Sequence, residues 1–183
     1  MALEIEAKLK VESLAPVAER LHVLGARLMA NKAQEDLYFD NAQAQMLTTD
    51  KCLRVRTEIT EKATKISLTY KGPKQASDLK CREEIELPVS DFAQSKALLL
   101  GLGYEQIMTV LKRRSLWFHK ECLICLDQVT GLGSFVEIEG SSSDVIHEVQ
   151  KDLELAHVSH CQESYACLLS LKSSVQSPES LEP

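Results

Sequence analysis

Glu4-Ile5-Glu6-Ala7-Lys8 carries a charge on every second residue. In an extended strand successive side chains point to opposite faces, so Glu4, Glu6 and Lys8 share one face while Ile5, Ala7 and Leu9 share the other. The same parity recurs at Arg54/Arg56, Arg82/Glu84/Glu86, Lys112/Arg114 and Glu137/Glu139. If these strands close into one sheet, their charged faces converge on a common interior. Mixed rows of carboxylates and cations in such a space suit a divalent metal together with a polyanion.

Taken singly, a strand of this kind marks the solvated face of an antiparallel sheet. The distribution of sign argues for more. Glu4/Glu6, Glu84/Glu86 and Glu137/Glu139 put like carboxylates at adjacent positions of one face, where they repel unless a cation neutralises them. Arg54/Arg56 and Lys112/Arg114 do the converse. A surface that is merely soluble intersperses its signs. The inward set expected from this reading balances Glu4, Glu6, Glu84, Glu86, Asp127, Glu137 and Glu139 against Lys8, Arg54, Arg56, Lys71, Arg82, Lys112 and Arg114. Asp127, which ends an apolar run before a Gly-rich turn, also suits a turn cap, and Lys71 before Gly72-Pro73 also suits an exposed strand end.

Strand-like segments fall at roughly 3–11, 35–40, 52–59, 64–71, 81–87, 109–118, 122–128 and 134–140. Helical spacing appears after Ser13, with Pro16 in the first turn and Gly25 as terminator, and again from Ser90 or Asp91 to Gly101 or Gly103. Two further helices are expected over Asp144 to Leu155 and near Gln162 to Leu171. The class is therefore α+β: an eight-stranded antiparallel β-barrel with a charged interior. Its outward residues, Ile5, Leu9, Leu53, Val55, Ile85, Leu87, Val136 and Ile138, need helices packed over them.

The 183 residues fit one domain, expected to span 1–172, with 173–183 (SSVQSPESLEP) as a polar, disordered tail. A net charge of −6 gives no field that would draw the chain to nucleic acid or an anionic membrane. No stretch approaches the ~20 apolar residues of a membrane span, and MALEIEAKLK lacks a secretory apolar core, which points to a cytoplasmic protein with reduced thiols. A homodimer is compatible with this composition. Cys122 and Cys125 form a C-x-x-C pair, but residues three apart in a strand face opposite ways, so joint zinc ligation is not expected; His157 and His160 lack a second ligand pair. Tyr38, Phe39, Trp117 and Phe118 suit either core positions or the side of a nucleobase.

Over roughly residues 2–170 the chain resembles the CYTH family, the triphosphate tunnel metalloenzymes. The resemblance is carried by Glu4-x-Glu6-x-Lys8, Leu53-Arg54-Val55-Arg56, Tyr70-Lys71-Gly72-Pro73, Arg82-x-Glu84-x-Glu86, Lys112-Arg113-Arg114, Leu126-Asp127-x-Val129-x-Gly131-Leu132-Gly133 and Phe135-Val136-Glu137-Ile138-Glu139, in that order. It implies a β-tunnel binding a nucleoside triphosphate or another triphosphate with Mg²⁺ or Mn²⁺. Glu4, Glu6, Asp127, Glu137 and Glu139 match the metal side. Lys8, Arg54, Arg56, Lys71, Arg82, Lys112 and Arg114 match the phosphate side. Lys8, Glu84, Glu86 and Asp127 match catalytic positions. The Y-K-G-P turn and the L-D-x-V-x-G-L-G-x-F-V-E-I-E block look most like the class IV adenylyl cyclase branch, which converts ATP to cyclic AMP and pyrophosphate. The same motifs serve triphosphatases that hydrolyse thiamine triphosphate or inorganic triphosphate, and a non-catalytic polyphosphate or nucleotide binder is the third reading. Ser164-Tyr165 resembles a Ser-Tyr pair recurring in the family's last helix, which ordinary helix packing also explains.

Overall fold

The computed structural model describes residues 2–175. Its strands are β1 (Ala2–Val11), β2 (Arg27–Asn41), β3 (Cys52–Ile59), β4 (Thr64–Lys71), β5 (Lys80–Val89), β6 (Tyr104–His119), β7 (Cys122–Val129) and β8 (Gly133–Glu139). They close into an antiparallel barrel in the order β1-β5-β4-β3-β2-β6-β7-β8. Closure is made by β1, which pairs with β5 through Glu4↔Arg82 and with β8 through Lys8↔Glu137.

The helices lie where the strands turn apolar faces outward. α1 (Ala15–Val23) starts with Pro16 in its first turn, buries Val17 and Leu21, and ends at Gly25, whose φ of +68° suits a residue without a Cβ. α4 (Ser143–Asp152) is capped by the Ser142 hydroxyl, which accepts from the Val145 amide, and buries Ile146 and Val149. Together α1 and α4 cover Leu9, Trp117, Ile124, Leu126, Val136 and Ile138 in the largest core cluster. α3 (Phe92–Gly101), capped by Asp91, places Leu99 against Leu37, Phe39 and Val55. A short helix, α2 (Gln45–Thr48), follows β2.

A third cluster lies inside the barrel. Tyr38, Val110, Val129 and Phe135 point inward at the end where β7 turns into β8, and Tyr165 of α5 (Tyr165–Val175) packs among them. Lys172 on α5 donates to the Gly131 carbonyl at 2.7 Å, fixing the helix on that turn. Apolar side chains thus fill this end of the barrel interior. At the opposite end Glu86 and Glu139 are exposed and border the interior cavity.

Several expectations shift. β2 begins at Arg27 and β6 at Tyr104, well before the sequence pattern places them, because the two strands pair from Arg27↔Phe118 to Asn41↔Tyr104. The stretch from Arg27 to Gln34 has no β-branched residue, so tertiary pairing overrides its weak strand propensity. Ile85 and Leu87 were expected under a helix but are 37% and 53% exposed, so helix packing leaves the outer face of β5 largely open at these positions. α5 continues to Val175, so residues 173–175, read as tail, are helical. The rest of that tail, 176–183, lies outside the described residues.

Candidate active site

The inward faces enclose a cavity of about 720 Å³ lined by Glu4, Glu6, Lys8, Arg54, Arg56, Lys71, Arg82, Glu84, Glu86, Lys112, Arg114, Glu137 and Glu139. Every charged residue selected from the sequence therefore borders one space, apart from Asp127. Strand order sorts them. β5, β1 and β8 are contiguous and carry six carboxylates, Glu84, Glu86, Glu4, Glu6, Glu137 and Glu139, with Lys8, Lys80 and Arg82 set among them; β3, β2 and β6 are contiguous on the far side and carry Arg54, Arg56, Lys112 and Arg114. A carboxylate-rich wall, the acidic wall, faces a basic wall across the cavity.

The basic wall is built on two buried carboxylates. Asp36, on β2 and 0% exposed, accepts two hydrogen bonds from Arg56 at 2.6 and 2.7 Å, and Arg54 lies at 3.6 Å. Burial pushes its carboxyl up, but the two guanidiniums outweigh this and hold it well below the usual carboxylate range. Asp127, also 0% exposed, accepts from both Nε and Nη2 of Arg114, from Lys112 Nζ at 3.3 Å and from the Tyr165 hydroxyl at 2.9 Å. Three of these donors converge on Oδ2 and one on Oδ1. Asp127, expected from the motif at a metal or catalytic position, is fully buried, is not among the residues lining the cavity, and anchors Arg114 and Lys112 from behind its wall. Burial, with Arg114 adding to it, depresses Lys112 to about 8.

On the acidic wall the pairs are incomplete. Lys71 bridges Glu4 at 2.6 Å and Glu84 at 3.0 Å. Burial lifts the Glu4 carboxyl to about 7 despite Lys71, and neighbouring Glu6 and Glu84 push the same way. Glu137 is shared by Lys8, at 3.3 Å, and Arg114. Burial raises it, but Lys8 and Arg114 win and hold it well below its ordinary value. Glu6 and Glu139 stand directly opposite each other in the β1–β8 register. Glu139 has no cation within ion-pair distance among the described residues, and burial followed by repulsion from Glu6 raises its carboxyl. Such a pair of mutually repelling oxygen donors fits a hard divalent cation. Among the described residues no three His, Cys, Asp or Glu side chains already converge on one point. An ion held by Glu6 and Glu139 would complete its shell with water and phosphate oxygens, the usual habit of Mg²⁺. Glu86 accepts from Thr69 at 3.4 Å at the open end, and Arg82 is buried without a carboxylate partner among the described residues.

Two residues of this constellation were missed. Asp36 sits in mid-strand, where aspartate is depleted, on the parity of Gln34 and Tyr38; that breach of strand propensity was the available signal. Lys80 continues the Arg82/Glu84 parity one step beyond the expected strand start. It is 3% exposed, lies 3.3 Å from Glu6 and also lines the cavity. Of the aromatic candidates, Tyr38 lines the cavity, Phe39 and Trp117 belong to outer clusters, and Phe118 is partly exposed. Cys125 borders the cavity while Cys122 is in the outer core, and all six cysteines are free. No helix of the described residues is long and apolar enough to cross a membrane.

The CYTH domain model matches residues 2–165, so the chain belongs to the CYTH family. A Methanocaldococcus jannaschii protein, MJ0240, whose name proposes it as an adenylate cyclase, is 36% identical over 152 residues, covering 83% of this chain and 84% of the relative. Among solved structures, PH1819 from Pyrococcus horikoshii superposes with a TM-score of 0.81 at 31% identity, covering 92% of this chain and 99% of its own. HpAC1 from Hippeastrum shares the fold at a TM-score of 0.66 and 17% identity, over 98% of this chain and 100% of its own; its structure is described as revealing a dominant triphosphatase activity.

Proposed function

We propose that this chain is a metal-dependent enzyme acting on a triphosphate-bearing substrate, of the adenylyl cyclase type, converting ATP to cyclic AMP and pyrophosphate. The observation that carries this reading is the acidic wall of β5-β1-β8 facing the basic wall of β3-β2-β6 across one cavity. Arg54, Arg56, Lys112 and Arg114 bind the phosphate oxygens and stabilise the negative charge that develops on the leaving pyrophosphate. Asp36 and Asp127 hold those cations in fixed orientations, so little reorganisation is needed as charge moves. Glu6 and Glu139, with Glu4 beside them, would hold Mg²⁺ or Mn²⁺. When bound there the ion supplies charge neutralisation and acidifies the ribose 3′-hydroxyl. That oxygen, its proton passing to solvent water, forms its bond to the α-phosphorus as the bond to the bridging oxygen of pyrophosphate breaks. No cysteine or histidine nucleophile is needed: the Cys125 thiol is pushed up to about 12 by burial.

The MJ0240 name favours the cyclase. The description of HpAC1 favours a second reading in which the same walls hold the triphosphate while water attacks the terminal phosphorus and orthophosphate leaves. The test offers purified protein ATP, thiamine triphosphate and inorganic triphosphate with Mg²⁺ or Mn²⁺. Cyclic AMP with pyrophosphate supports the cyclase, orthophosphate the triphosphatase. Binding without products leaves a sensor and overturns both enzymatic readings.

A further inference from the structure

We propose that Lys80 is a substrate-binding residue: with Lys8 it forms a two-ammonium subsite for one phosphate group, templated by the backbone carbonyl of Glu163. The proposal rests on the cavity being a triphosphate site and deepens that reading. Lys8 Nζ and Lys80 Nζ each donate to the same oxygen, Glu163 O, at 3.2 Å. The template is backbone, and it is pinned: the Cys161 amide donates to the Lys8 carbonyl at 2.7 Å, and His160 forms an isolated bridge with Leu9. Both ammonium groups are therefore placed by the chain segment that leads into α5.

Pairing Glu6 and Glu137 does not by itself require both ammoniums to share one carbonyl oxygen. Lys80 alone, at 3.3 Å, answers Glu6, and Arg114 already contacts Glu137. Setting a second buried ammonium against the first brings like charges together, an unfavourable arrangement that a neutral carbonyl oxygen relieves only in part. Each ammonium has three donors. Lys8 directs its own to Glu163 O and Glu137, with its charge over the Tyr165 ring at 4.0 Å. Lys80 donates to Glu163 O and Glu6, and its side chain lines the cavity. A phosphate group, with several acceptor oxygens and negative charge, complements this convergent pair where a single carboxylate does not.

The experiment measures tripolyphosphate binding by calorimetry for the unaltered chain, Lys80→Gln and Arg56→Ala, with thermal unfolding recorded for each. Lys80→Gln is expected to weaken binding about ten- to a hundredfold, the loss typical of a charge-assisted hydrogen bond. In the unaltered chain, saturating tripolyphosphate should slow acylation of the Lys80 amine several-fold, read by mass spectrometry, while exposed Lys62 is unchanged. This second measurement does not depend on the variant folding. Binding that Arg56→Ala weakens and Lys80→Gln leaves intact, or unprotected Lys80 at saturation, overturns the assignment of Lys80 alone. Failure of the unaltered chain to bind tripolyphosphate overturns the triphosphate reading and this proposal with it.

Discussion

Asp36→Asn is the sharpest probe of how the basic wall is held. The change removes one charge and almost no volume from a side chain that is 0% exposed and bound to Arg56 through both oxygens. It leaves Arg54 and Arg56, themselves about nine-tenths buried, facing each other without their shared counter-charge. Breaking a buried pair in this way costs about 3–5 kcal/mol. For a chain of this length each kcal/mol moves the midpoint by about 2–4 °C, so even the lower figure predicts a fall of about 6–12 °C. Thermal unfolding followed by circular dichroism at neutral pH measures it. The lost anion is then replaceable: tripolyphosphate at about a hundred times its Kd adds about 2.7 kcal/mol to any chain that binds it, and the variant should gain more than the unaltered protein at equal concentration. The pH dependence has a definite sign. The folded Asp36 carboxyl is depressed, so its contribution is complete above the unfolded value of about 3.9 and fades as pH falls toward the folded one. The deficit of the variant should therefore persist from neutrality to about pH 4 and shrink only below it. A deficit under about 1 kcal/mol at pH 7, or one that is constant down to strongly acid pH, refutes the account.

Glu139→Gln, at an exposed position with no cation partner among the described residues, should abolish metal-stimulated turnover while the melting temperature stays within a degree or two. Glu137→Gln should in contrast cost about 3 kcal/mol, since Lys8 and Arg114 both lose their shared carboxylate; equal stability of the two variants would contradict this division. Arg56→Ala should weaken tripolyphosphate binding at least tenfold in calorimetry, and an unchanged affinity would remove Arg56 from the phosphate side. Tyr165→Phe keeps the ring beneath Lys8 and Lys112 but deletes the bond to Asp127, a loss of about 1 kcal/mol in denaturant unfolding; no loss would mean that the hydroxyl contributes nothing to holding Asp127.

The barrel was legible because its inward face is charged: with Glu4, Glu6 and Lys8 two apart, only one register of β1 buries Leu9, and the same holds for Val136 and Ile138 on β8. What escaped was whatever broke that alternation or required the neighbouring strand. Arg27 to Gln34 carries helix-forming residues and becomes a strand through its pairing with β6 and, at Ala33 and Gln34, with β3. Asp36 had no charged neighbour at two-residue spacing on its own strand, since its partners Arg54 and Arg56 arrive from β3. Asp127 had the right parity, yet spacing alone could not reveal that four donors already occupy it. Ile85 and Leu87 alternate as correctly as Val136 and Ile138, and nothing local says which outer face a helix will reach.

Tyr165, Phe135, Val110 and Val129 crowd one end of the interior with apolar side chains, which leaves the end bordered by Glu86 and Glu139 as the way in. With Arg56 and Lys112 buried and Glu86 and Glu139 exposed at the rim, the triphosphate of the proposed substrate would enter first and both products would leave by the same aperture. On the proposed cyclase reading the cyclic nucleotide, nearer the exit, would depart before pyrophosphate. Pyrophosphate would then compete with the next substrate molecule, an inhibition expected in KM and not in kcat.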